Sequence, residues 1–173
     1  MKIVHAPHAV LSAPALPVGK IDKKLHQLVK EMNQTLNRQK DPEGVGLAAP
    51  QVGLPLQLFI IKKSEKSSLK VFINPKIEKT IAATKPKTDK KTRLEGCLSI
   101  PRIWGKVTRS KKVQLTYTNL EGETKTEWFS AFEATIIEHE MDHLNGILFT
   151  RRVFEQENIL YQETDGELEE WKV

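Results

Sequence analysis

The sequence predicts an α+β fold in which antiparallel β-sheets pack around a central metal-binding HExxH helix, with one further helix near the N-terminus. Three observations carry this expectation. Short β-like runs follow one another with turns between them instead of alternating with helices. Only two stretches show clear helical periodicity. One of these, residues 130–146 (SAFEATIIEHEMDHLNG), is apolar enough to be buried yet carries His139, Glu140, Asp142 and His143 in its last turns. Buried charge and imidazole need partners, and a metal ion is a common one for such a set.

Taken in order, residues 1–20 contain Pro7, Pro14 and Pro17 and read as extended and irregular. Asp22 is placed to cap a helix running to about Arg38, with Ile21, Leu25, Leu28, Val29, Met32 and Leu36 as its apolar stripe. Pro42 and Gly44 end it. The small-residue run at 44–53 lacks the Lys-Ser/Thr of a phosphate loop, and no helical pattern follows it. Two readings stay open there: a place where another backbone comes close, with Gln51 as the polar group on offer, or a tight turn into the next strand. β-like runs occupy 56–61, 69–74, 77–83, 111–118 and 125–129, and Asn119 to Gly122 marks a hairpin turn between the last two. The segments SEKSS (64–68) and KPKTDKKTR (85–93) read as polar, mobile loops. There is no internal repeat.

A chain of 173 residues with 39% apolar and 28% charged content fits one globular domain with a real core. Cys97 is the single cysteine, so no intrachain disulfide can form, which fits a reducing compartment. The first residues lack an apolar h-region and are not Arg-rich. No signal peptide, transit peptide or membrane span is expected, and the cytoplasm is the expected location. The formal charge of +5 is uneven: residues 151–173 carry −4 and the first 150 carry +9. A basic body can attract RNA, but scattered lysines are read here as a solvated surface. Neither a DNA nor a membrane partner is expected, and the chain is expected to be a monomer.

The second helix carries the chemistry. Ser130 and Glu133 have the spacing of a capping box, and Phe132, Ile136 and Leu144, with Ile137 and Met141 beside them, form the apolar face. Asn145 and Gly146 supply the stop. His139 and His143 stand at i and i+4, so both imidazoles leave one face, and Glu140 lies about 100° round the helix, able to reach a metal's water without being a ligand. Two ligands do not hold a catalytic metal. Cys97, in Glu95-Gly96-Cys97-Leu98-Ser99, supplies a thiolate suited to zinc or ferrous iron and leaves a fourth position open. By itself a lone cysteine reads as a small buried hydrophobe, and only the helix changes that. A bend at Gly96, with the backbone N–H groups of Cys97 and Leu98, suits the neighbourhood of a metal. A metzincin triad is excluded because Phe149 stands where its third histidine would fall, and Asp142 is unlike a zincin helix.

Three segments together, GVGLAAPQ at 44–51, EGCLS at 95–99 and HEMDHLNG at 139–146, resemble the three signature motifs of the peptide deformylases, in the family's order and at comparable separations. The similarity runs thinly through residues 3–150. It implies a compact α+β fold and removal of the formyl group from N-formylmethionyl nascent chains. It also implies one divalent metal, Fe2+ in the family, replaceable by Zn2+, Ni2+ or Co2+. Carried over residue by residue, Cys97, His139 and His143 match the ligands and Glu140 the general acid/base. Gln51 and the N–H of Leu98 match the groups that polarise the formyl oxygen. Val45 and Gly46 match the segment that pairs with the peptide backbone, with Gly96 beside the site. Glu95 resembles a residue that orients a ligand histidine, and Arg109 is a candidate counter-charge for it or for Asp142. A methionine pocket is expected from Phe132, Ile136, Leu98 and Trp104.

Two features depart from the family pattern: Glu138 replaces the usual Gln before the first histidine, and His8-Ala9-Val10-Leu11 stands where the family usually carries an Arg after an aspartate-proline. The first is expected to tune the site and the second to affect packing only. Residues 1–150 are expected to form the catalytic domain, with 151–173 as its acidic extension, and the ribosome is a candidate transient partner whose contact is not expected at that acidic end. Two rival readings are a metal-holding module without turnover and a deacylase for other small N-acyl groups. The presence of both Glu140 and Gln51 argues against the first.

Overall fold

The structure, a computed structural model, describes residues 1–40, 43–64, 66–83 and 94–171. Helix α1 spans Lys23–Asn37 and is capped as its sequence demands: Asp22 Oδ1 accepts from the backbone N–H of Lys24 and Leu25 at 2.9 and 3.0 Å. Strand β1 (Gly46–Ala48) leads through a 3-10 turn (Ala49–Val52) to β2 (Leu58–Ile61), so the strand expected from residue 56 begins two residues later. The runs expected separately at 69–74 and 77–83 form a single strand, β3 (Lys70–Ile81). Asn74 absorbs the irregularity where its register shifts, with φ 49° and its side chain bonded to the N–H and carbonyl of Val18. The loop expected at 85–93 lies outside the described residues.

Strands β4 (Glu95–Cys97) and β5 (Ile100–Gly105) turn sharply at Leu98 and Ser99 and were not anticipated as strands. Strands β6 (Lys112–Thr118) and β7 (Thr124–Ser130) form the expected hairpin, Thr118 opposite Thr124. Helix α2 (Phe132–Leu144) carries the HExxH stretch, α3 (Phe149–Glu155) follows it, and β8 (Leu160–Thr164) and β9 (Glu167–Glu170) close the described chain. All strand pairs are antiparallel, in two sheets of order β1-β2-β3-β6-β7 and β4-β5-β8-β9.

Alternation along β2 explains the layering. Leu58 and Ile60 join the cluster built with Leu25, Val29, Met32 and Leu36 of α1, while Phe59 and Ile61 join the one built with Ala134, Ile136 and Ile137 of α2. The five-stranded sheet is therefore covered on both faces, which is why β2 is buried at every residue. A third cluster, Cys97, Ile103, Val107, Phe149, Val153 and Leu160, seats α3 on the second sheet. Burying each such large side chain contributes about 1.5–3 kcal/mol.

The start of α2 corrects the expected capping box. Ser130 is the last residue of β7, paired with Lys112, and the N-cap is Ala131 at φ 53° without a side-chain cap. Glu133 turns to Lys70 and Lys63 instead, at 2.6 and 3.2 Å. Two lysine charges hold its carboxylate more strongly than one backbone N–H would. The expected stop is present: Gly146 has φ 69°, its N–H bonds the carbonyl of His143, and the N–H of Ile147 bonds that of Asp142. A Cβ at Gly146 would also lie 2.7–2.9 Å from the backbone of Ser12 and Ala13, so only glycine lets that segment pack there.

Candidate metal centre

Each of the three motifs reaches the centre from a different element. β4 brings Cys97, which is 3% exposed, and α2 brings His139 and His143 from one face, one turn apart. Cys97 Sγ lies 3.2 Å from His143 Nε2, and the ligand atoms of Cys97, His139 and His143 all lie within 4.8 Å of one another. The 3-10 turn after β1 brings Gln51, 1% exposed. Its Oε1 accepts from Ala48 N–H at 2.8 Å, which turns Nε2 towards Cys97 Sγ at 3.6 Å and Ser99 Oγ at 3.4 Å. The N-terminal segment ties these two loops together: Val4 N–H bonds Gln51 O and Ala6 N–H bonds Ser99 O.

Orientation of His139 comes from a chain of buried ion pairs. Its Nδ1 meets Glu95 Oε2 at 3.1 Å, which leaves Nε2 for the centre. Arg109 grips both oxygens of Glu95 at 2.9 and 3.0 Å and reaches Asp142 at 2.7 Å, so it serves both of the carboxylates considered for it. Arg152 of α3 closes the chain on Asp142 Oδ1 at 2.7 Å. Burial works against the Glu95 charge, but His139 and Arg109 outweigh it and hold its pKa at about 2. The Phe149 ring stacks on His139 with centroids 6.1 Å apart. The residue that rules out a third histidine thus braces the first. Glu138 accepts from Ser110 N–H and Oγ–H at 2.7 and 2.8 Å, fixing the loop beside Arg109.

The donor set fits a divalent metal. Burial opposes ionisation of Cys97, yet the charges and hydrogen bonds of His143 and His139 hold its thiol well below the usual value. Burial likewise opposes the His139 charge, and Cys97 and Glu95 raise it well above normal. The thiolate lone pair, and the imidazole lone pair freed when its proton leaves, are the ones a metal takes. Glu140 is 3% exposed, and its Oε2 is one of two buried side-chain polar atoms without a partner among the described residues, the other being His143 Nδ1. Desolvation, with some help from Cys97, pushes the Glu140 pKa up to about 7 against the pull of the two histidines. An unpaired buried carboxylate oxygen is what a proton-transfer group needs.

Gly46 packs directly on Glu140 and Ile136: a Cβ there would meet Glu140 Oε1, and Ile136 Cγ2 at 2.9 Å. Gly96 packs under Trp104, whose Cζ3 would be 2.7 Å from a Cβ. Val45 is partly buried beside the α2 cluster, and Leu98 packs partly buried on the α1 cluster. Ile136 is buried, while Phe132, one turn earlier, is 38% exposed at the head of α2. Sequence reasoning did not single out Ser99 or Arg152. Ser99 carried no sequence signal of its own. Arg152 had one: a charged Asp142 inside a buried helix demands a cation.

Two imidazoles one helical turn apart, a thiolate from a neighbouring strand and an unpaired buried carboxylate define the site of a metal-dependent hydrolase. The chain belongs to the peptide deformylase family, whose model, described as polypeptide deformylase, matches residues 1–158. It is 35% identical to the peptide deformylase of Rhodopirellula baltica over 175 aligned positions, covering 99% of this chain and 81% of that one. It is 38% identical to that of Synechocystis, covering 83% and 74%. Among solved structures it is similar to a Synechococcus elongatus peptide deformylase in complex with actinonin (TM-score 0.76, 38% identity, 87% of this chain and 77% of that one). It is also similar to Arabidopsis thaliana peptide deformylase 1B (TM-score 0.78, 34% identity, 90% and 83%).

Proposed function

We propose that this chain is a metal-dependent amide hydrolase that removes the formyl group from the N-terminal formylmethionine of nascent polypeptides. The observation that carries the reading is the convergence of Cys97, His139 and His143 within 4.8 Å beside the unpartnered Glu140. These three side chains would hold one divalent metal; a thiolate with two imidazoles suits zinc and ferrous iron alike, and the likeness to the family makes Fe2+ the reading, with Zn2+, Ni2+ or Co2+ as substitutes. When bound, such a metal supplies Lewis acidity, polarising the formyl carbonyl and lowering the pKa of a coordinated water towards ~7.

The chain's own residues do the rest. Glu140 Oε2 takes a proton from the attacking water and returns it to the departing amine as the C–N bond breaks, leaving formate and a free methionyl N-terminus. Gln51 Nε2 and the Leu98 N–H donate to the oxygen that becomes negative. Loss of one such donor typically costs ~10²–10³ in rate. Glu95 and Arg109 hold His139 in its tautomer, Nε2 free for the metal. Gly46, with Val45 just before it, offers β1, the terminal strand of its sheet, to the extended peptide. Ile136 and Leu98 would wall the methionine side chain, with Phe132 at the rim, while Trp104, stacked over Gly96, would lie outside that slot.

Among the described residues no helix is long and apolar enough to cross a membrane. The reading is of a monomeric cytoplasmic enzyme that visits the ribosome transiently, with any such contact away from the acidic end. The test is formate release from formyl-Met against acetyl-Met peptides. Turnover of the formyl substrate alone supports the proposal. Equal turnover of both would make the enzyme a broader deacylase, and none would leave a metal-holding module.

A further inference from the structure

The family match stops at residue 158, yet the β8–β9 hairpin beyond it completes the second sheet, whose terminal strand β4 carries Cys97, and it holds a side chain of the intervening strand β5. The contact is specific: Trp104 Nε1–H donates to Glu163 Oε2 at 2.7 Å. Trp104 stands opposite Gly96 in one direction and opposite Tyr161 in the other, so these residues share the sheet face turned away from the Ile103, Phe149 and Val153 cluster. The indole lies where a side chain at Gly96 would be, with Cζ3 and Cε3 at 2.7 and 2.9 Å from an ideal Cβ. Gly96 immediately precedes Cys97, and β4 is the terminal strand of its sheet. The ring therefore covers a bare glycine of the terminal strand, on the face opposite the one from which Cys97 joins the Ile103 cluster.

We propose that Glu163 is a positioning residue for substrate selection. It fixes the Trp104 indole across Gly96, at the free edge of β4, as a wall for a large apolar or aromatic side chain of the peptide downstream of its formylmethionine. This rests on the deformylase reading above. The physical case has three parts. A hydrogen bond to a carboxylate is stronger than one between neutral groups, so it restricts the indole to one tilt. A preset ring spares the substrate the entropy of ordering it. An extended peptide along the β4 edge presents alternate side chains to this face, where the partly exposed indole offers a broad apolar surface.

The experiment compares formyl-Met peptides carrying Ala or Phe downstream of the methionine. Glu163→Ala is expected to raise KM for the Phe peptide by about 2- to 12-fold, the ratio expected from freeing one large side chain, with kcat and the Ala-peptide KM unchanged. Glu163→Gln keeps an oxygen acceptor and should restore the wild-type KM. In a Trp104→Phe background, which has no indole N–H, Glu163→Ala should have no further effect. A protein with Trp128 and Trp171 replaced by Phe retains Trp104 as its one indole. Its emission should respond to the Phe peptide with Glu163 or Gln present, and more weakly with Ala. An unchanged Phe-to-Ala KM ratio in Glu163→Ala would overturn the proposal, and so would an equal fall in kcat on both peptides, which would make Glu163 a prop for Cys97. If the wild type released no formate, the functional reading would fail, and the emission titration would still decide the role of Glu163.

Discussion

Gly46→Ala probes the catalytic carboxylate without touching a metal ligand. The added methyl would meet Glu140 Oε1, Ile136 Cγ2 at 2.9 Å and Glu140 Cδ at 3.0 Å. Carbon atoms in ordinary contact stand about 3.5–4.0 Å apart, so one side must give way by roughly 0.5–1 Å. Ile136 and Glu140 are 4% and 3% exposed, and β1 is held by β2 through Gly46 opposite Ile61, so neither side moves freely. Overpacking of this kind costs about 1–3 kcal/mol, and each kcal/mol lowers Tm by roughly 2–4 °C in a chain of this size. A carboxylate displaced by about 1 Å can lose ~10² in kcat. Metal content should stay at one per chain, since the three nearest atoms belong to no ligand. The measurements are thermal unfolding, metal content and kcat on a formyl-Met peptide, with Gly19→Ala as control, where nothing lies within 4 Å of a Cβ. An unchanged kcat and Tm would show that the close packing of β1 on Glu140 is wrong. Loss of the metal would show that Glu140 and the ligands move as one unit.

Three further outcomes are expected. Glu140→Gln should keep its metal while kcat falls by at least ~10²–10⁴, whereas Cys97→Ala should lose metal and activity together; metal analysis beside kcat separates the two. Glu133→Gln should flatten the acid limb of stability. Burial opposes the Glu133 charge, but Lys70 and Lys63 lower its pKa below 4.5, so its contribution is present above that value and is lost as pH falls through the folded-state value. Urea midpoints of both proteins should therefore converge in acid, and a constant gap from pH 7 downwards would refute it. The Fe2+ form should lose activity in air faster than the Ni2+ form, because ferrous iron and Cys97 can both be oxidised; equal half-lives would contradict this.

Much of the site was legible in the sequence because it is written at short range. A 3.6-residue period puts His139 and His143 on one face whatever surrounds them, and Asp22 caps α1 by a contact two and three residues away. The hairpin at Asn119 to Gly122 is equally local. The same rule could have found β8–β9, since Asp165 and Gly166, at φ 51° and 84°, form the Asp-Gly turn that such a hairpin prefers. Where a local rule failed, a distant partner had won: Glu133 left the expected capping box for lysines 63 and 70 residues away.

What the tertiary structure alone decided is which distant groups meet. Cys97 and His143 are 46 residues apart, and their 3.2 Å approach depends on strand β4 being brought beside α2, where Glu95 also meets His139. The partners of Asp142 come from two other segments, Arg109 before β6 and Arg152 in α3. Phe149 could be read only as a missing histidine until its ring was found on His139. Periodicity and caps are fixed by backbone geometry within a few residues, so a sequence window contains them. Long-range pairs are fixed by sheet register and by burial summed over the whole chain, which no window contains.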